Sequence, residues 1–193
     1  MNRRPLALLL LLASLLAGLL AALPAQAAKP KEGDVLPDLE AKAQLKPSEA
    51  AYLGLPEGAK GFRLSQIKAE TILVEVFSMY CPRCQAEAPA VNRVFERLMA
   101  SPQGQKLKFV AIGAGNSQFE VDFFRKKYQA GMPMIQDADY VLHKAFMAVG
   151  TPSYFVLRPL PSGKGLKVLY FREGQFEDEN AFFDEVLRAS TQR

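Results

Sequence analysis

The chain has 193 residues, with 24 lysines and arginines, 20 aspartates and glutamates, one histidine and two cysteines. This length predicts a single domain, and two cysteines are too few for the multiple disulfides that hold small secreted domains together. One histidine and one cysteine pair argue against a zinc site, which needs about four ligands. Charges of both signs are mixed along the chain without a long basic block. We therefore expect no metal, no cofactor and no nucleic-acid partner.

Residues 1–27 have the composition of a secretory signal peptide. Arg3 and Arg4 precede an apolar run of Leu and Ala over residues 6–23, and small residues then flank Gln26 in an A-x-A pattern. We expect cleavage after Ala27 and export to the periplasm. The alternative is an uncleaved membrane anchor, because the apolar run approaches the ~20 residues that span a bilayer. The polar sequence after the cleavage site favours removal.

The mature chain begins with a segment rich in Ala, Pro, Lys and Glu. We interpret residues 28–59 as an N-terminal extension that contains a short helix over residues 47–53. Residues 60–193 form the predicted main domain, which opens with a short strand over residues 62–64. The next element, over residues 71–77, is a nearly continuous apolar run rich in β-branched residues, typical of a strand buried on both faces.

A helix is predicted from Pro82 to Met99, with one face turned to the core. The residues expected on that face are Ala86, Ala90, Val94 and Leu98. A second buried strand covers residues 107–112. Ser117 and Glu120 then fit a capping box for another helix. Its phenylalanines are expected to be core residues: Phe119, Phe123 and Phe124.

The remaining elements continue this alternation of strands and helices. An inserted strand is predicted at residues 134–135, followed by a helix that Asp137 caps. Two strands, over residues 153–157 and 166–171, are separated by a turn-rich segment and form a hairpin. A last helix covers residues 177–188.

This order of elements predicts an α/β protein with a mixed sheet. The early strand–helix–strand alternation requires parallel pairing through helical crossovers, and the closing hairpin adds antiparallel strands. The predicted fold class is a thioredoxin fold: a central mixed sheet flanked by helices, with an inserted strand–helix and an N-terminal extension.

Cys81-Pro82-Arg83-Cys84 lies where the buried strand meets the helix. Cys81 would occupy the helix N-terminus, where free N–H groups and the helix dipole stabilise a thiolate. Cys84 would lie one turn further on, close enough to form a disulfide. Pro82 suits the first helical turn, and the Arg83 charge would favour the thiolate. The alternative is a structural disulfide or two inert thiols.

Glu75 and Glu87 are candidate proton-transfer groups. Glu75 is an acid inside an apolar strand, and burial would raise its pKa and let it exchange protons with Cys84. It could instead point to solvent or pair with a lysine. Glu87, one turn after Cys84, could tune the thiolate or be a solvated helix residue.

Thr151-Pro152 precedes a late strand and could carry a cis peptide bond. A cis bond would expose the Thr151 backbone for pairing with a substrate beside Cys81. From the residues alone, an ordinary trans proline in a turn is the more common outcome.

The sequence resembles the TlpA/ResA-type branch of the thioredoxin superfamily, which are exported thiol–disulfide oxidoreductases. The resemblance rests on TILVEVFSMYCPRCQAEAPAV and MPMIQDADYVLHKAFMAVGTPSYFVL and covers roughly residues 60–190. It implies that Cys81 is the nucleophile, Cys84 the resolving thiol and Pro152 the cis proline. It also implies that Glu75 and Glu87 match the family's buried acid and the acid of its C-x-x-C-x-x-E-x-P run.

The chain departs from this family where a partner would bind. Tyr80 replaces the usual tryptophan before the first cysteine, and the Gly-Val-Pro-Glu-Thr pattern of haem-maturation members is absent. We predict dithiol–disulfide exchange with exported proteins, with a membrane electron donor if the protein is a reductant, and Tyr80, Thr151 and Pro152 as the substrate-binding residues.

Two other functions remain open from the sequence. A peroxidase of the peroxiredoxin type would share this fold, and Ser78-x-x-Cys81 loosely matches its Thr-x-x-Cys pattern. The proline required four residues before that threonine is missing, since Val74 stands there. A non-catalytic binding module that holds a peptide near Pro152 is the second alternative.

Overall fold

The computed structural model describes residues 29–192, so the predicted signal peptide and its cleavage site lie outside the described residues. Eight strands and five α-helices follow one another along this part of the chain. In chain order they are β1 (Val35–Leu36), β2 (Glu40–Lys42), α1 (Pro47–Leu53), β3 (Gly61–Arg63), β4 (Thr71–Phe77), α2 (Pro82–Ala100), β5 (Leu107–Ala114), α3 (Gln118–Tyr128), β6 (Met134–Asp137), α4 (Val141–Ala145), β7 (Ser153–Pro159), β8 (Leu166–Glu173) and α5 (Glu179–Thr191).

Six strands form one mixed sheet in the order β1-β8-β7-β4-β5-β6. The β4–β5 and β5–β6 pairs are parallel, as their helical crossovers require. The β4–β7, β7–β8 and β1–β8 pairs are antiparallel. Strands β2 and β3 form a separate antiparallel ribbon. The mixed sheet and the inserted β6–α4 unit confirm the predicted fold class.

Strand β4 lies in the interior of the sheet, between β7 and β5, and both of its faces are covered. All seven of its residues are buried. Side chains alternate between the faces of a strand, and Leu73 and Phe77 belong to the core layer under α2, α3 and α5. Glu75, between them in this alternation, faces the same layer. The opposite layer, under α1 and α4, receives Ile72, Val74 and Val76.

Three helices have side-chain caps in the structure, two of which the sequence predicted. The Ser117 and Glu120 side chains and backbones form a reciprocal capping box at the start of α3. The Asp137 carboxylate accepts hydrogen bonds from the backbone of Leu142 and His143 at the start of α4. Asp178 caps α5 by accepting from two backbone N–H groups.

The predicted inward face of α2 was wrong in its first half. Ala86 is exposed and Ala90 half-buried, whereas the buried apolar positions beyond Cys84 are Ala88, Val91, Val94 and Leu98. The buried face of α2 differs from the predicted one because Cys84 and Glu87 both point towards the core and so set the orientation of the first turns. Small alanines on several sides of the helix gave the sequence pattern no means to choose between them.

Two of the three α3 phenylalanines are also not in the core. Phe119 is 77% exposed and Phe123 is 50% exposed, while Phe124 is buried. Phe124 and Val121 lie three residues apart on the face that packs on the sheet. Phe119 and Phe123 lie four residues apart on the other side of the helix, where nothing in the described part of the chain covers them fully.

The N-terminal segment is packed into the main body. Strand β1 extends the main sheet beyond β8, and Leu53 of α1 is fully buried. Glu49 and Arg125, both about nine-tenths buried, form an ion pair of 3.2 Å between α1 and α3. Within residues 29–192, no helix combines the length and the apolar composition needed to cross a membrane.

Candidate active site

The two cysteines lie at the N-terminus of α2, as predicted. Cys81 is the N-cap residue, and its Sγ accepts a hydrogen bond of 3.4 Å from the Cys84 backbone N–H. Both cysteines are free thiols; Cys81 is partly exposed, and Cys84 is only 1% exposed. Pro82 occupies the first helical turn without losing a helical hydrogen bond. One thiol can meet a partner protein while the other is shielded behind it.

The surroundings shift the pKa values of the two thiols in opposite directions. Partial burial acts to raise the pKa of Cys81, but hydrogen bonding by Thr151, Cys84 and Arg83 outweighs it, and the pKa is lowered. Burial raises the pKa of Cys84 strongly, and the Glu75 charge adds to this effect. Cys81 is therefore the thiol that ionises first and attacks.

Arg83 acts through its backbone N–H in this balance, and its side chain is exposed. The neighbouring Tyr80 is also exposed, at 64%, and its hydroxyl donates a hydrogen bond to Glu120 at the start of α3. The Glu120 hydrogen bond raises the pKa of Tyr80. Tyr80 thus offers its ring to solvent beside Cys81, where the sequence predicted a substrate-binding residue.

The Thr151–Pro152 peptide bond is cis. The loop that contains this bond is distant from the cysteines in sequence but contacts them in the structure. The Cys81 thiol donates a 3.2 Å hydrogen bond to the Thr151 carbonyl oxygen. This is the outcome that the family resemblance implied and that the residues alone did not favour. The predicted substrate-binding positions at Tyr80 and Thr151 therefore both adjoin the exposed thiol.

Glu75 is buried in the centre of β4 beneath the cysteines. Burial raises its pKa to about 8, and the charges of Glu87 and Cys81 contribute to the rise. A group with this pKa holds its proton at neutral pH and can release it near that range. Its burial excludes a solvent-facing Glu75, and within residues 29–192 no ion pair joins it to a lysine.

Glu87 is buried as well, so it is not a solvated helix residue. Its Oε2 accepts a 2.6 Å hydrogen bond from the Tyr154 hydroxyl, and its Oε1 accepts a 2.7 Å bond from the Phe176 backbone. Burial raises the pKa of Glu87, while these two hydrogen bonds and the charge of Arg172 oppose the rise.

Sequence reasoning missed three residues of this site. Tyr154 and Phe176 hold Glu87 from elements late in the chain. Asn116, which is fully buried in the loop after β5, accepts a 2.8 Å hydrogen bond from the backbone of Met79 and so supports the loop before Cys81. The sequence did offer one signal for Tyr154, a hydroxyl group within an apolar strand. The residues that it meets, however, depend on the register between β4 and β7, which the sequence does not show.

The geometry suits thiol–disulfide chemistry rather than metal binding. Cys81 is partly exposed and its pKa is lowered, whereas Cys84, one helical turn away, is buried and its pKa is raised. The two buried carboxyl groups belong to Glu75 and Glu87. Among residues 29–192, no group of three or more His, Cys, Asp or Glu side chains could hold a metal ion.

A model of the AhpC/TSA family matches residues 33–161, about two thirds of the chain. The chain belongs to the AhpC/TSA family. The matched range includes β1, both cysteines, both buried glutamates and the cis proline, but not Phe176. A search of curated proteins gives no significant match for this AhpC/TSA member.

Several solved structures share the fold of this AhpC/TSA protein. A thioredoxin-family thiol:disulfide interchange protein from Chlorobium tepidum is 20% identical, with a TM-score of 0.55, over 83% of this chain and 99% of that one. StoA from Bacillus subtilis is 17% identical, with a TM-score of 0.52, over 67% and 90%.

A third similar structure is a secreted disulfide oxidoreductase of Mycobacterium tuberculosis that is described as homologous to E. coli DsbE. It is 19% identical, with a TM-score of 0.53, over 67% of this chain and 90% of that one. At these identities the likeness establishes the thioredoxin fold. Fold, family and cysteine geometry together support the predicted protein-disulfide oxidoreductase activity.

Proposed function

We propose that this protein is an exported thiol–disulfide oxidoreductase that exchanges dithiols and disulfides with periplasmic proteins through Cys81 and Cys84. The observation that carries the proposal is the contrast between the two thiols. Cys81 is partly exposed with a lowered pKa, and Cys84 is buried with a raised pKa. An attacking thiol needs the first environment, and a resolving thiol needs the second.

In the reducing direction, the Cys81 thiolate attacks one sulfur of a substrate disulfide. A Cys81–substrate disulfide forms, and the other substrate sulfur leaves as a thiolate that takes a proton from solvent. Cys84 then loses its proton, and its sulfur attacks Cys81 Sγ. The Cys81–Cys84 disulfide forms, and the second substrate thiolate is released. Two electrons have passed to the substrate, and the reverse sequence oxidises a substrate dithiol.

Glu75 is the proposed proton partner of Cys84. When Cys84 attacks, its proton passes to the Glu75 carboxylate; when Cys84 leaves in the reverse reaction, protonated Glu75 returns it. The carboxyl group lies beneath the cysteines, and its charge acts on Cys84. A pKa of about 8 leaves both protonation states accessible near neutral pH.

The substrate would bind across Tyr80 and the Thr151–Pro152 loop. Tyr80 offers an exposed aromatic ring, and Thr151 places backbone within hydrogen-bonding reach of Cys81. The partners we propose are exported proteins that carry thiols or disulfides. A reducing role would also require a membrane electron donor, since thiols outside the cytoplasm are not maintained by its reducing systems.

Trapping the mixed disulfide tests this proposal. We expect Cys84→Ser to accumulate a disulfide with substrate proteins through Cys81, because the resolving sulfur is absent. Cys81→Ser, the matched control, should trap none. Non-reducing gels of periplasmic extracts would reveal the adducts. Equal trapping by both variants, or by neither, would contradict the assigned roles.

The direction of electron flow follows from the reduction potential of the couple, measured in the protein without residues 1–27. A reduction potential of about −270 mV would indicate a reductant, and one of about −120 mV would indicate an oxidant. If no reversible couple formed, the non-catalytic binding module would replace the oxidoreductase proposal.

A peroxidase is disfavoured by the structure around Val74. This residue lies within β4, paired with both β5 and β7, where a proline would remove ladder hydrogen bonds. The strand therefore continues unbroken through the position at which the peroxidase pattern needs proline. Peroxide consumption by the purified protein is expected to be slow compared with its exchange with a disulfide substrate.

A further inference from the structure

Tyr154 connects the two buried carboxyl groups of the site. It is the direct register partner of Glu75 on the antiparallel β4–β7 pair. Its side chain belongs to the same core layer as Leu73 and Phe77, the layer that Glu75 also faces. Directly opposed residues of antiparallel strands have Cβ atoms only about 5 Å apart. From this position its hydroxyl donates the 2.6 Å hydrogen bond to Glu87.

The Tyr154 ring is held rigidly, which fixes the direction of that hydrogen bond. The residue has no exposed surface. Its ring lies 4.9 Å from the Phe182 ring and 5.7 Å from the Phe176 ring, and those two rings stack on each other at 4.3 Å. The Phe176 backbone in turn donates to the other Glu87 oxygen. Two members of one aromatic cluster, Tyr154 and Phe176, therefore each donate a hydrogen bond to the Glu87 carboxyl group.

The two carboxyl groups are not equivalent. Glu87 receives two hydrogen bonds and faces the positive charge of Arg172 on β8. Within residues 29–192, no comparable hydrogen-bond donor reaches the Glu75 carboxyl group, and the ionisable groups coupled to it are all acids: Glu87, Cys81, Cys84 and Tyr154. Hydrogen bonds to a carboxylate favour its ionised form, and a nearby like charge disfavours ionisation.

We propose that Tyr154 is a positioning residue of the exchange reaction: by donating to Glu87 it holds that group as the anion, so that the transferable proton resides on Glu75. This inference rests on the proposed oxidoreductase function and assigns the proton within it. Burial raises the pKa of Tyr154 well above its ordinary value, so the hydroxyl remains a donor throughout the working pH range.

The assignment explains how one proton is delivered to Cys84. With Glu87 fixed as the anion, its charge strengthens proton binding by Glu75, and the pair carries one proton at neutral pH. When a substrate thiolate attacks Cys81 in the Cys81–Cys84 disulfide, Cys84 leaves and takes the proton from Glu75. Glu75 becomes a carboxylate and is reprotonated from solvent before the next cycle. In the opposite direction, Glu75 first releases its proton to solvent, and the resulting carboxylate then accepts the proton of Cys84.

Carboxyl titration of the variants, followed by infrared spectroscopy of the protonated C=O stretch, tests the proposal. The wild type should show two ionisations: Glu87→Gln removes the lower one and Glu75→Gln the upper one. Tyr154→Phe should move the lower ionisation up by about one pH unit, because a hydrogen bond to a charged group is worth roughly that much.

Tyr170→Phe is the matched control. The Tyr170 hydroxyl also donates to a glutamate, Glu185, at 2.8 Å, and its ring also borders Phe182. The same atom is lost, but the hydrogen bond is made to a different glutamate. This variant should leave both ionisations unchanged. Adding Tyr154→Phe to Glu87→Gln should produce no further shift, because the partner of the hydroxyl is already neutral.

An unshifted lower ionisation in folded Tyr154→Phe would overturn the proposal, as would a lower ionisation that belongs to Glu75. The second result comes from the two glutamate variants and does not depend on whether Tyr154→Phe folds. Failure of the oxidoreductase function is separately visible. The wild type would then show no disulfide exchange, whatever the order of the two ionisations.

Discussion

At the scale of single residues, Glu75 makes the stability of the fold depend on pH. Its pKa rises from an ordinary value of 4.5 to about 8 in the folded protein. Between these values the unfolded chain has lost the proton that the folded chain retains. The free energy of unfolding therefore falls as pH rises across this window. Below about pH 4.5 the group is protonated in both states, and its contribution no longer varies with pH.

Replacing Glu75 by Gln should remove this pH dependence. We expect the variant to gain stability relative to the wild type as pH rises from about 5 to about 8, by an amount on the order of a few kcal/mol. Urea unfolding at several pH values measures the difference. Glu57→Gln, an exposed carboxyl group, is the control. A constant offset between Glu75→Gln and wild type would show that Glu75 ionises normally when folded.

The two cysteines and both glutamates of the site could be identified from the sequence, because a C-x-x-C pair and acids within apolar or helical patterns are local signals. Tyr154 could not be identified in this way. Its importance comes from standing opposite Glu75 across two strands separated by some eighty residues. A shift of register by one residue would send its side chain to the other core layer, and nothing near residue 154 specifies that register.

At the scale of elements, the loop that presents Cys81 is supported by a neighbouring loop. The buried Asn116 side chain accepts from the Met79 backbone N–H and thereby links the loop after β5 to the loop after β4. Both loops follow parallel strands, so they emerge at the same edge of the sheet. The position of Cys81 therefore depends on a residue that is remote in sequence.

We expect Asn116→Ala to destabilise the fold by about 1–3 kcal/mol, since the Met79 N–H would lose its acceptor. It should also slow disulfide exchange, because the loop before Cys81 would be less ordered. Asn92→Ala provides the comparison: the Asn92 side chain also makes a 2.8 Å hydrogen bond to backbone, but as a donor to the Tyr128 carbonyl oxygen at the end of α3. It should lose stability but retain its exchange rate. Equal slowing in both variants would argue against a specific role for Asn116.

The elements themselves were largely predictable, but their orientation was not. The β-branched run of β4 and the cap at Ser117 are strong local patterns, and the structure confirms both. The exposed Phe119 and Phe123 show the limit of such patterns. An aromatic residue in a helix predicts a buried face only if the rest of the chain supplies something to cover it, and α3 uses Val121 and Phe124 instead.

At the scale of the whole molecule, the N-terminal segment and the main domain share one hydrophobic cluster. The buried Glu49–Arg125 pair joins α1 to α3, and Arg125 also donates to the Met134 carbonyl oxygen at 3.2 Å. A second acid, Asp122, lies 3.6 Å from Arg125 but is half exposed. Glu49 is therefore the main buried partner of this guanidinium.

Glu49→Gln should lower the free energy of unfolding by about 3 kcal/mol, because the Arg125 charge would be left buried with poorer compensation. Glu70→Gln removes an exposed partner of Lys106 at 2.9 Å and should change stability by less than about 1 kcal/mol. Denaturant midpoints of the two variants provide the comparison. Similar small losses would indicate that the N-terminal segment is only loosely attached.

The site is assembled from parts of the chain that leave the ribosome at very different times. Cys81 and Cys84 are made early, whereas the Thr151 carbonyl follows 70 residues after Cys81 and the Phe176 amide 89 residues after Glu87. A nascent chain that ends before β7 carries two thiols without the contacts that set them apart. The hydrogen bonding by Thr151 that helps to lower the pKa of Cys81 therefore becomes available only long after both cysteines have been made.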